Sequence, residues 1–202
     1  MMTQNKKIEI RAATIATTPQ DNKMIVTGYA AVLEQPTIIC TIGGVNYCEI
    51  VDRNAFAGTN MSDVVFRYNH SDNNFLLART KNNTLTLSVD DKGLLMSADF
   101  ADIQQGRDLY TLINRKDIDS MSFAFIVAKD SYDPQTHTRR ILQFEKIIDV
   151  SAVDTPAYDA TSINIDDGAS ISARDYFSAR LEMENEVKTK DKKRKRLYLL
   201  TF

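Results

Sequence analysis

The 202-residue chain has few cysteines and histidines and no tryptophan. Cys40 and Cys48 are too few for a disulfide framework, so we expect two free thiols in a reducing compartment. His70 and His137 stand far apart and give no metal-ligand spacing with the cysteines; we therefore expect no metal and no cofactor. No apolar run reaches membrane-spanning length and no signal-like segment opens the chain, so we expect no membrane association.

The net charge of −2 hides an uneven distribution of charge along the chain. Residues 188–196, KTKDKKRKR, hold seven basic residues and one acidic residue, which leaves 18 basic and 26 acidic residues elsewhere. Three roles remain open for this basic tail. It is a solvated helix end, a segment that docks on an acidic scaffold or capsid surface, or a salt-sensitive nucleic-acid-binding segment.

Alternating apolar and polar residues predict that most of the chain forms β-strands. Gly43-Gly44 and residues 90–93 predict turns between paired strands, residues 130–138 predict a hairpin tip, and Gly28 predicts a bulge. The expected strand segments are residues 6–15, 24–33, 36–51, 64–70, 75–80, 85–100 and 119–153.

Three segments have helical signals. Residues 52–58 predict a short helix with Asp52 as N-cap and Gly58 as terminator, and residues 102–118 predict a longer one capped by Asp102. The highly charged segment after residue 169 predicts a long helix. We therefore divide the chain into a β-rich domain, residues 1–168, and a helical, basic extension, residues 169–202.

Three polar residues in or beside apolar strand segments suggest nucleophilic catalysis. His70 ends a strand, Ser122 lies in the apolar segment MSFAF, and Asp149 lies between Ile148 and Val150. A buried carboxylate is costly without a partner, and a histidine ring nitrogen would supply one. A serine hydroxyl needs a base within hydrogen-bonding distance, and the base needs an acceptor on its other nitrogen.

An ordered set of motifs over about residues 24–165 resembles the prohead maturation proteases of tailed bacteriophages. The motifs are GYAAVLEQP, EIVDRNAF, FRYNHSDN, ARTKNNTLTLSVDDKGLLMSADF, MSFAF and DVSAVDTPAYDA. That family is related in fold to the herpesvirus assemblins. The resemblance implies an α+β protein, mainly β, with a closed or nearly closed antiparallel β-barrel surrounded by a few helices. It also implies that His70 is the base, Ser122 the nucleophile and Asp149 the third member of a triad.

Several residues depart from the family pattern. Ser71 stands where an acid commonly follows the histidine, and Ala78 and Ala124 replace glycines. Asp149 is one methylene shorter than the commoner glutamate. A changed backbone near Ala124 would affect oxyanion stabilisation, because preorganised N–H donors carry a large share of acyl-transfer catalysis.

Other residues compete for roles in the site. Ser120 can face the same way as Ser122, because side chains on a strand repeat every two residues; motif position favours Ser122. His137 is an alternative third member, because assemblins use a second histidine, but a hairpin tip suits a buried group poorly.

Three more polar residues stand in the same motifs, and each has an interpretation outside the triad. Arg79 either positions a water or backbone group or is a surface arginine. Ser151 is expected to pack or hydrogen-bond locally, and Asp154 to cap the turn before Pro156.

The resemblance implies a serine endopeptidase that cleaves the major capsid protein and the scaffold during prohead maturation, and also itself. It would act as a homo-oligomer inside the assembling prohead in the host bacterial cytoplasm, with nucleic-acid contact only through the basic tail. The alternative is a noncatalytic capsid-assembly scaffold or chaperone with the same fold, which the departures at Ser71 and Ala124 favour.

Overall fold

A computed structural model of the chain describes residues 8–20, 23–154 and 173–199. It is a mixed α+β structure made mainly of strands, with two α-helices and one short 3₁₀ turn, Thr80–Asn82, in the described part. The helices are α1 (Gln104–Asn114) and α2 (Ala173–Leu199). The strands are β1 (Ile8–Gln20), β2 (Lys23–Val32), β3 (Thr37–Ile42), β4 (Val45–Val51), β5 (Val65–Tyr68), β6 (Ala78–Arg79), β7 (Leu85–Val89), β8 (Gly93–Asp99), β9 (Ser120–Asp133) and β10 (Thr138–Val153).

The strands form one sheet with the order β3-β4-β10-β9-β1-β2-β8-β7. Strand β5 pairs with β10 and with β6, outside this path. Strand β10 runs parallel to β4 and β5 and antiparallel to β9. The long strand β10 therefore brings residues from distant parts of the chain together.

The expected closed or nearly closed barrel is wrong, because the sheet does not close. Strand β6 has only two residues, and the turn Thr80–Asn82 separates it from β7. No ladder joins β6 to β7 within the described ranges. The coarser prediction of a mainly β, α+β protein is confirmed.

Most of the predicted strand connections are confirmed. Gly43 and Gly44 have φ of +60° and +81°, as a tight turn between β3 and β4 requires. Asp90 accepts the backbone N–H groups of Lys92 and Gly93 at 2.8 and 2.9 Å and so closes the turn between β7 and β8. The bulge predicted near Gly28 is a register shift between residues 29 and 31 of β2.

Two helix predictions need correction. Residues 53–58 form consecutive turns instead of a helix, although Asp52 still accepts the Asn54 N–H at 3.0 Å and Gly58 has φ of +74°. Helix α1 is shorter than 102–118, and its N-cap is Ile103 without a side-chain cap. Asp102 pairs with Arg107 instead, so its carboxylate does not cap the helix.

The predicted strand over residues 75–80 is also shorter than expected, since only Ala78 and Arg79 pair with β5. The cysteine prediction is confirmed in that no disulfide joins Cys40 and Cys48, both of which lie in the described part of the chain.

The main core is formed by buried side chains from most of the strands, from loops and from helix α1. On β9 the side chains of Met121, Phe123 and Phe125 point into this core, and Leu109 and Ile113 of α1 belong to the same cluster. Because side chains alternate along a strand, the residues between them face the opposite side. The fold thus places Ser122 on the face away from the main core.

Helix α2 confirms the predicted long C-terminal helix. Near its start Phe177 is fully buried, with its ring 5.1 Å from that of Tyr47 on β4. No helix in the described residues is long and apolar enough to cross a membrane. The division at residue 168 stays a prediction, because residues 155–172 lie outside the described part.

Candidate active site

His70 lies in a tight turn directly after β5. The N–H of Asn69 donates to Ala152 O of β10 at 2.9 Å, so the chain remains attached to β10 up to the turn. Asn69 and His70 have φ of 53° and 51°, and the N–H of Ser71 donates to Tyr68 O at 3.2 Å. Two central residues at positive φ are typical of a type I′ turn, in which Asn is favoured.

Neighbouring amides hold this turn in place. Asn69 Oδ1 accepts the N–H of Asp154 at 3.2 Å, and Asn74 Nδ2 donates to Tyr68 O at 3.1 Å. Arg67 Nη1 donates to Ser71 O at 3.3 Å. The backbone on both sides of His70 is therefore fixed by side chains, which restricts where the imidazole can point.

The imidazole of His70 contacts the carboxylate of Asp149 deep in the protein. His70 Nδ1 and Asp149 Oδ1 are 2.6 Å apart, and the two residues are only 3% and 4% exposed. With the proton on Nδ1 donated to the carboxylate, the neutral ring keeps an acceptor at Nε2. The hydrogen bond from His70 thus compensates the buried carboxylate of Asp149. It also fixes the orientation of the imidazole, as a general base would need.

Ser151 is a second donor to the same carboxylate oxygen. It lies two residues after Asp149 on β10 and is fully buried, and its Oγ donates to Asp149 Oδ1 at 3.0 Å. This confirms the expectation of a local hydrogen bond and gives it a specific acceptor. Asp149 Oδ1 therefore accepts hydrogen bonds from two residues at once.

Ser122 lies on the neighbouring strand, on the same face as these groups. It is paired directly with Ser151 in the β9–β10 register, while Asp149 is paired with Ala124. Directly opposed residues of an antiparallel pair have Cβ atoms about 5 Å apart. The sheet register therefore places the Ser122 side chain next to the Asp149–Ser151 pair.

Two buried atoms of this group have no hydrogen-bond partner among the described residues. Ser122 is 1% exposed, and neither its Oγ nor His70 Nε2 has a hydrogen-bond partner in the described part of the chain. The structure therefore holds no direct bond between these two atoms. Buried polar atoms without partners are uncommon and are a feature of catalytic sites, where such bonds often tighten only when substrate binds.

The competing candidates make other contacts. Ser120 Oγ donates to Asp119 Oδ1 at 2.9 Å. His137 lies at the hairpin end of β10, with Nδ1 3.2 Å from Tyr132 Oη and its ring against Tyr47, so it is remote from Asp149 along the strand. Neither of these two alternatives hydrogen-bonds to the His70–Asp149 pair.

Arg79 and Asp154 also have structural partners. Arg79 binds Asp63 through two nitrogens, at 2.6 and 2.8 Å, which favours the surface-arginine interpretation. Asp154 Oδ2 accepts from Tyr68 Oη at 3.1 Å, and the turn before Pro156 lies outside the described residues. Burial first, and then the bond to Asp154, raise the pKa of Tyr68, so its phenol stays neutral beside the His70 turn.

A model of the caudovirus prohead serine protease family matches residues 6–175. The chain belongs to this family. Searches of curated proteins and of solved structures found no match. The matched range includes both strands of the β9–β10 hairpin and the His70 turn, so every residue placed at the site above lies within the prohead-protease part of the chain.

Sequence reasoning did not identify Asn69 and Asn74 as supports of the His70 turn, and it did not give the acceptor of the Ser151 hydrogen bond. Ser151 was expected to bond locally, but its acceptor depends on the conformation of β10. Asn69 and Asn74 carried a usable signal, because asparagine favours positive φ and bonds to nearby backbone. Within the described residues no group of three or more His, Cys, Asp or Glu side chains is arranged to bind a metal.

Proposed function

We propose that this protein is a serine endopeptidase that cleaves capsid and scaffold proteins inside the assembling prohead. Membership of the prohead serine protease family supports a role in head maturation. The observation that carries the residue assignment is the buried His70–Asp149 pair, at 2.6 Å, beside an unpartnered Ser122 hydroxyl. The proposed nucleophile is Ser122, the base is His70, and Asp149 orients the base.

The proposed reaction follows the chemistry of an activated serine. His70 Nε2 takes the proton from Ser122 Oγ as the oxygen attacks the scissile carbonyl carbon. The tetrahedral intermediate collapses, the C–N bond breaks, and His70 returns the proton to the leaving amine. Water then gives a proton to His70 Nε2 as it attacks the acyl-enzyme carbonyl. The second tetrahedral intermediate collapses, the C–Oγ bond breaks, His70 returns the proton to Ser122 Oγ, and the new carboxyl terminus leaves. Asp149 remains ionised and stabilises the imidazolium that forms.

The burial of the site adds a condition on access. A polypeptide cannot reach a serine that is 1% exposed unless the residues around it move. We therefore propose that the structure represents a closed state, which opens on substrate binding or on assembly with the capsid. Such gating would keep the protease inactive until it meets its substrates.

Co-expression with the major capsid protein of the same phage tests the proposal. Intact-mass spectrometry of both proteins should show processed capsid protein with the wild type and unprocessed protein with Ser122→Ala. Ser120→Ala is the matched control, because that hydroxyl lies on the same strand and bonds to Asp119. Normal processing by Ser122→Ala, or loss of processing only in Ser120→Ala, would refute the nucleophile assignment.

A fluorophosphonate probe separates the enzyme from a noncatalytic assembly factor. The probe labels a serine only when a neighbouring base activates it, so wild type should label at Ser122 and His70→Ala should not. The departures from the family pattern at Ser71 and Ala124 are what favours the noncatalytic alternative. Absence of labelling in the wild type, both free and co-assembled with capsid protein, would favour it further. Mass spectrometry of the same samples also detects self-cleavage in the basic tail.

A further inference from the structure

Arg67 is a charged residue on the same face of the sheet as the proposed nucleophile. It lies on β5, where it is paired with Ser151 of β10, and Ser151 is paired with Ser122 of β9. The neighbouring residues Phe66 and Val150 are paired with each other and belong to the main core. Because side chains alternate along a strand, Arg67 and Ser151 point to the opposite face. Ser122, Ser151 and Arg67 therefore form one row across three strands.

This row places the guanidinium within reach of a polypeptide bound at Ser122. Neighbouring strands are about 4.8 Å apart, so the backbones of Arg67 and Ser122 are about 10 Å apart across the sheet. An extended polypeptide advances about 3.3 Å per residue. A substrate side chain within about three residues of the bond that Ser122 attacks can therefore meet the guanidinium.

Arg67 reaches solvent, whereas the groups that would react do not. Its side chain is 22% exposed, while Ser122 and His70 are 1% and 3% exposed. Of these three residues, Arg67 is the one that an approaching polypeptide can contact before the site opens.

The guanidinium has one charged partner and further donors. Arg67 Nη1 donates to Ser71 O at 3.3 Å and to the carboxylate of Asp72. In the described part of the chain no hydrogen bond involves its Nε or Nη2, although a guanidinium carries five N–H donors. The side chain of Asp72 is 66% exposed, and ion pairs at such exposure are weak. Because arginine binds carboxylates through two parallel N–H bonds, Arg67 can exchange Asp72 for another carboxylate.

We propose that Arg67 is a specificity residue that binds an aspartate or glutamate side chain of the polypeptide substrate close to the cleaved bond. Asp72 pairs with the guanidinium in the closed state, and the substrate carboxylate takes its place when the site opens. The inference rests on the proposed endopeptidase function and adds the class of residue that the substrate presents.

A peptide library made from a digested bacterial proteome tests the role of Arg67. The full-length protein, free and co-assembled with the major capsid protein, is incubated with the library, and mass spectrometry maps the residues around each new terminus. Cuts near a peptide's own C-terminus are left out, so that a terminal carboxylate cannot supply the bound group. Wild type should show Asp and Glu enriched at one position within about three residues of the cut. A wild-type preference without Asp or Glu in that range overturns the proposal.

Substitutions of Arg67 separate a specificity role from support of the His70 turn. Arg67→Gln should lower the enrichment by about threefold to fivefold, the size expected of a partly exposed ion pair, and Arg67→Lys should retain most of it. The enrichment is a ratio within one sample, so it does not depend on how much of the enzyme is active. If Arg67→Gln slows all cuts and leaves this ratio unchanged, Arg67 supports the turn only and the specificity role is refuted.

Asp72→Asn should act in the opposite direction. It removes the carboxylate that competes for the guanidinium, so the enrichment of Asp and Glu should rise by up to about fivefold. An enrichment that falls or stays the same in Asp72→Asn refutes the exchange of carboxylates at Arg67.

The matched control is Arg107→Gln on α1. Arg107 Nη1 also donates to a backbone carbonyl and a carboxylate five residues away, both from Asp102. Helix α1 packs against the main core, on the other side of the sheet from Ser122. The cleavage preference of Arg107→Gln should equal that of wild type. An equal fall in Arg107→Gln and Arg67→Gln would assign the effect to net charge and overturn the role of Arg67.

Fluorophosphonate labelling of each sample separates the two possible failures. A labelled enzyme whose cleavage sites show no dependence on Arg67 overturns only the specificity role. A protein that neither labels nor cleaves the library, both free and co-assembled, overturns the proposed endopeptidase and the role of Arg67 with it.

Discussion

Ser122 on β9 is paired directly with Ser151 on β10, and Ser151 donates a hydrogen bond to Asp149. The proposed nucleophile and a donor to the proposed acid are therefore adjacent in one antiparallel register. In the same register Phe123 is paired with Val150, and both side chains belong to the main core on the other face of the sheet. The positions of Ser122 and Ser151 are therefore coupled to core packing. The core thus supports the site without contributing a reactive group.

We predict that Ser151→Ala slows acylation while the protein stays folded. The change removes one of two donors to Asp149 Oδ1, and a hydrogen bond to a charged group is worth about 1.5–3 kcal/mol. The rate of fluorophosphonate labelling should fall by about tenfold to a hundredfold. Ser151→Thr keeps the hydroxyl and should recover most of that rate. Equal loss in both variants, with unchanged circular dichroism, would contradict a positioning role.

The turn that carries His70 gives a second prediction. Asn69→Ala keeps the φ of 53° but removes the polar side chain that makes this conformation tolerable, and with it the acceptor for the Asp154 N–H. We expect urea denaturation to show a loss of about 1–2 kcal/mol in the free energy of unfolding, the cost of left-handed backbone in a residue whose side chain cannot hydrogen-bond locally, and labelling of Ser122 to slow. Asn69→Gly should be less harmful, because glycine accepts positive φ.

Asn83→Ala is the matched control for that turn. Asn83 has φ of 60° but follows the 3₁₀ turn next to β7, outside the candidate site. It should lower stability by a similar amount and leave the labelling rate unchanged. Slower labelling in Asn83→Ala would show that the loss in Asn69→Ala reflects general destabilisation.

The fold was predictable where the chain's local chemistry determines the structure. Gly43-Gly44 and residues 90–93 defined their turns, since positive φ and short side-chain-to-backbone bonds depend on few neighbours. Closure of the sheet was not predictable, because it depends on whether β6 and β7 pair across the molecule. Residues 52–58 had helical start and stop signals, but seven residues gain too little from propensity to decide between helix and turns.

The site was predictable in part for a similar reason. An acid inside an apolar segment required a partner, and this indicated a histidine for Asp149; the structure places His70 there at 2.6 Å. The contribution of Ser151 depends on the register between β9 and β10, which the sequence does not determine. The roles of these residues in catalysis stay a prediction until the variants are measured.

Acid sensitivity is expected from a surface ion-pair group around Arg140. Its Nη1 lies 3.0 Å from Glu34 and from Asp52. The bond to Arg140 first, and then the Arg53 N–H, lower the pKa of Glu34; the Asn54 N–H is the main cause that lowers the pKa of Asp52. Carboxylates with lowered folded pKa values stabilise the protein above their unfolded pKa and lose that contribution as the pH falls through the folded pKa.

Arg140→Met should therefore lower the Tm more at pH 7 than at pH 3. At pH 3 the carboxylates approach protonation in both variants, so the difference in Tm should narrow. Arg115→Met is the control, because Arg115 pairs with Asp117 on an exposed surface and such pairs contribute little. A difference in Tm that does not change with pH would show that Arg140 acts through packing alone.

Phe177 is a buried contact between helix α2 and the sheet, next to the polar and cation–π contacts that Tyr176 makes with Asp130 and Arg139. Phe177 is fully buried against Tyr47, whereas Met183 on the same helix is 61% exposed. Truncating a buried phenylalanine lowers stability by about 3–5 kcal/mol. The exposed residues of the same helical turn cannot make up that loss of free energy. In Phe177→Ala we expect amide hydrogen exchange to speed up over residues 175–181 and trypsin to cut α2 sooner, while Met183→Ala behaves as wild type. Unchanged exchange in Phe177→Ala would mean that Arg139, which lies over the Tyr176 ring at 4.0 Å, is sufficient to hold the helix.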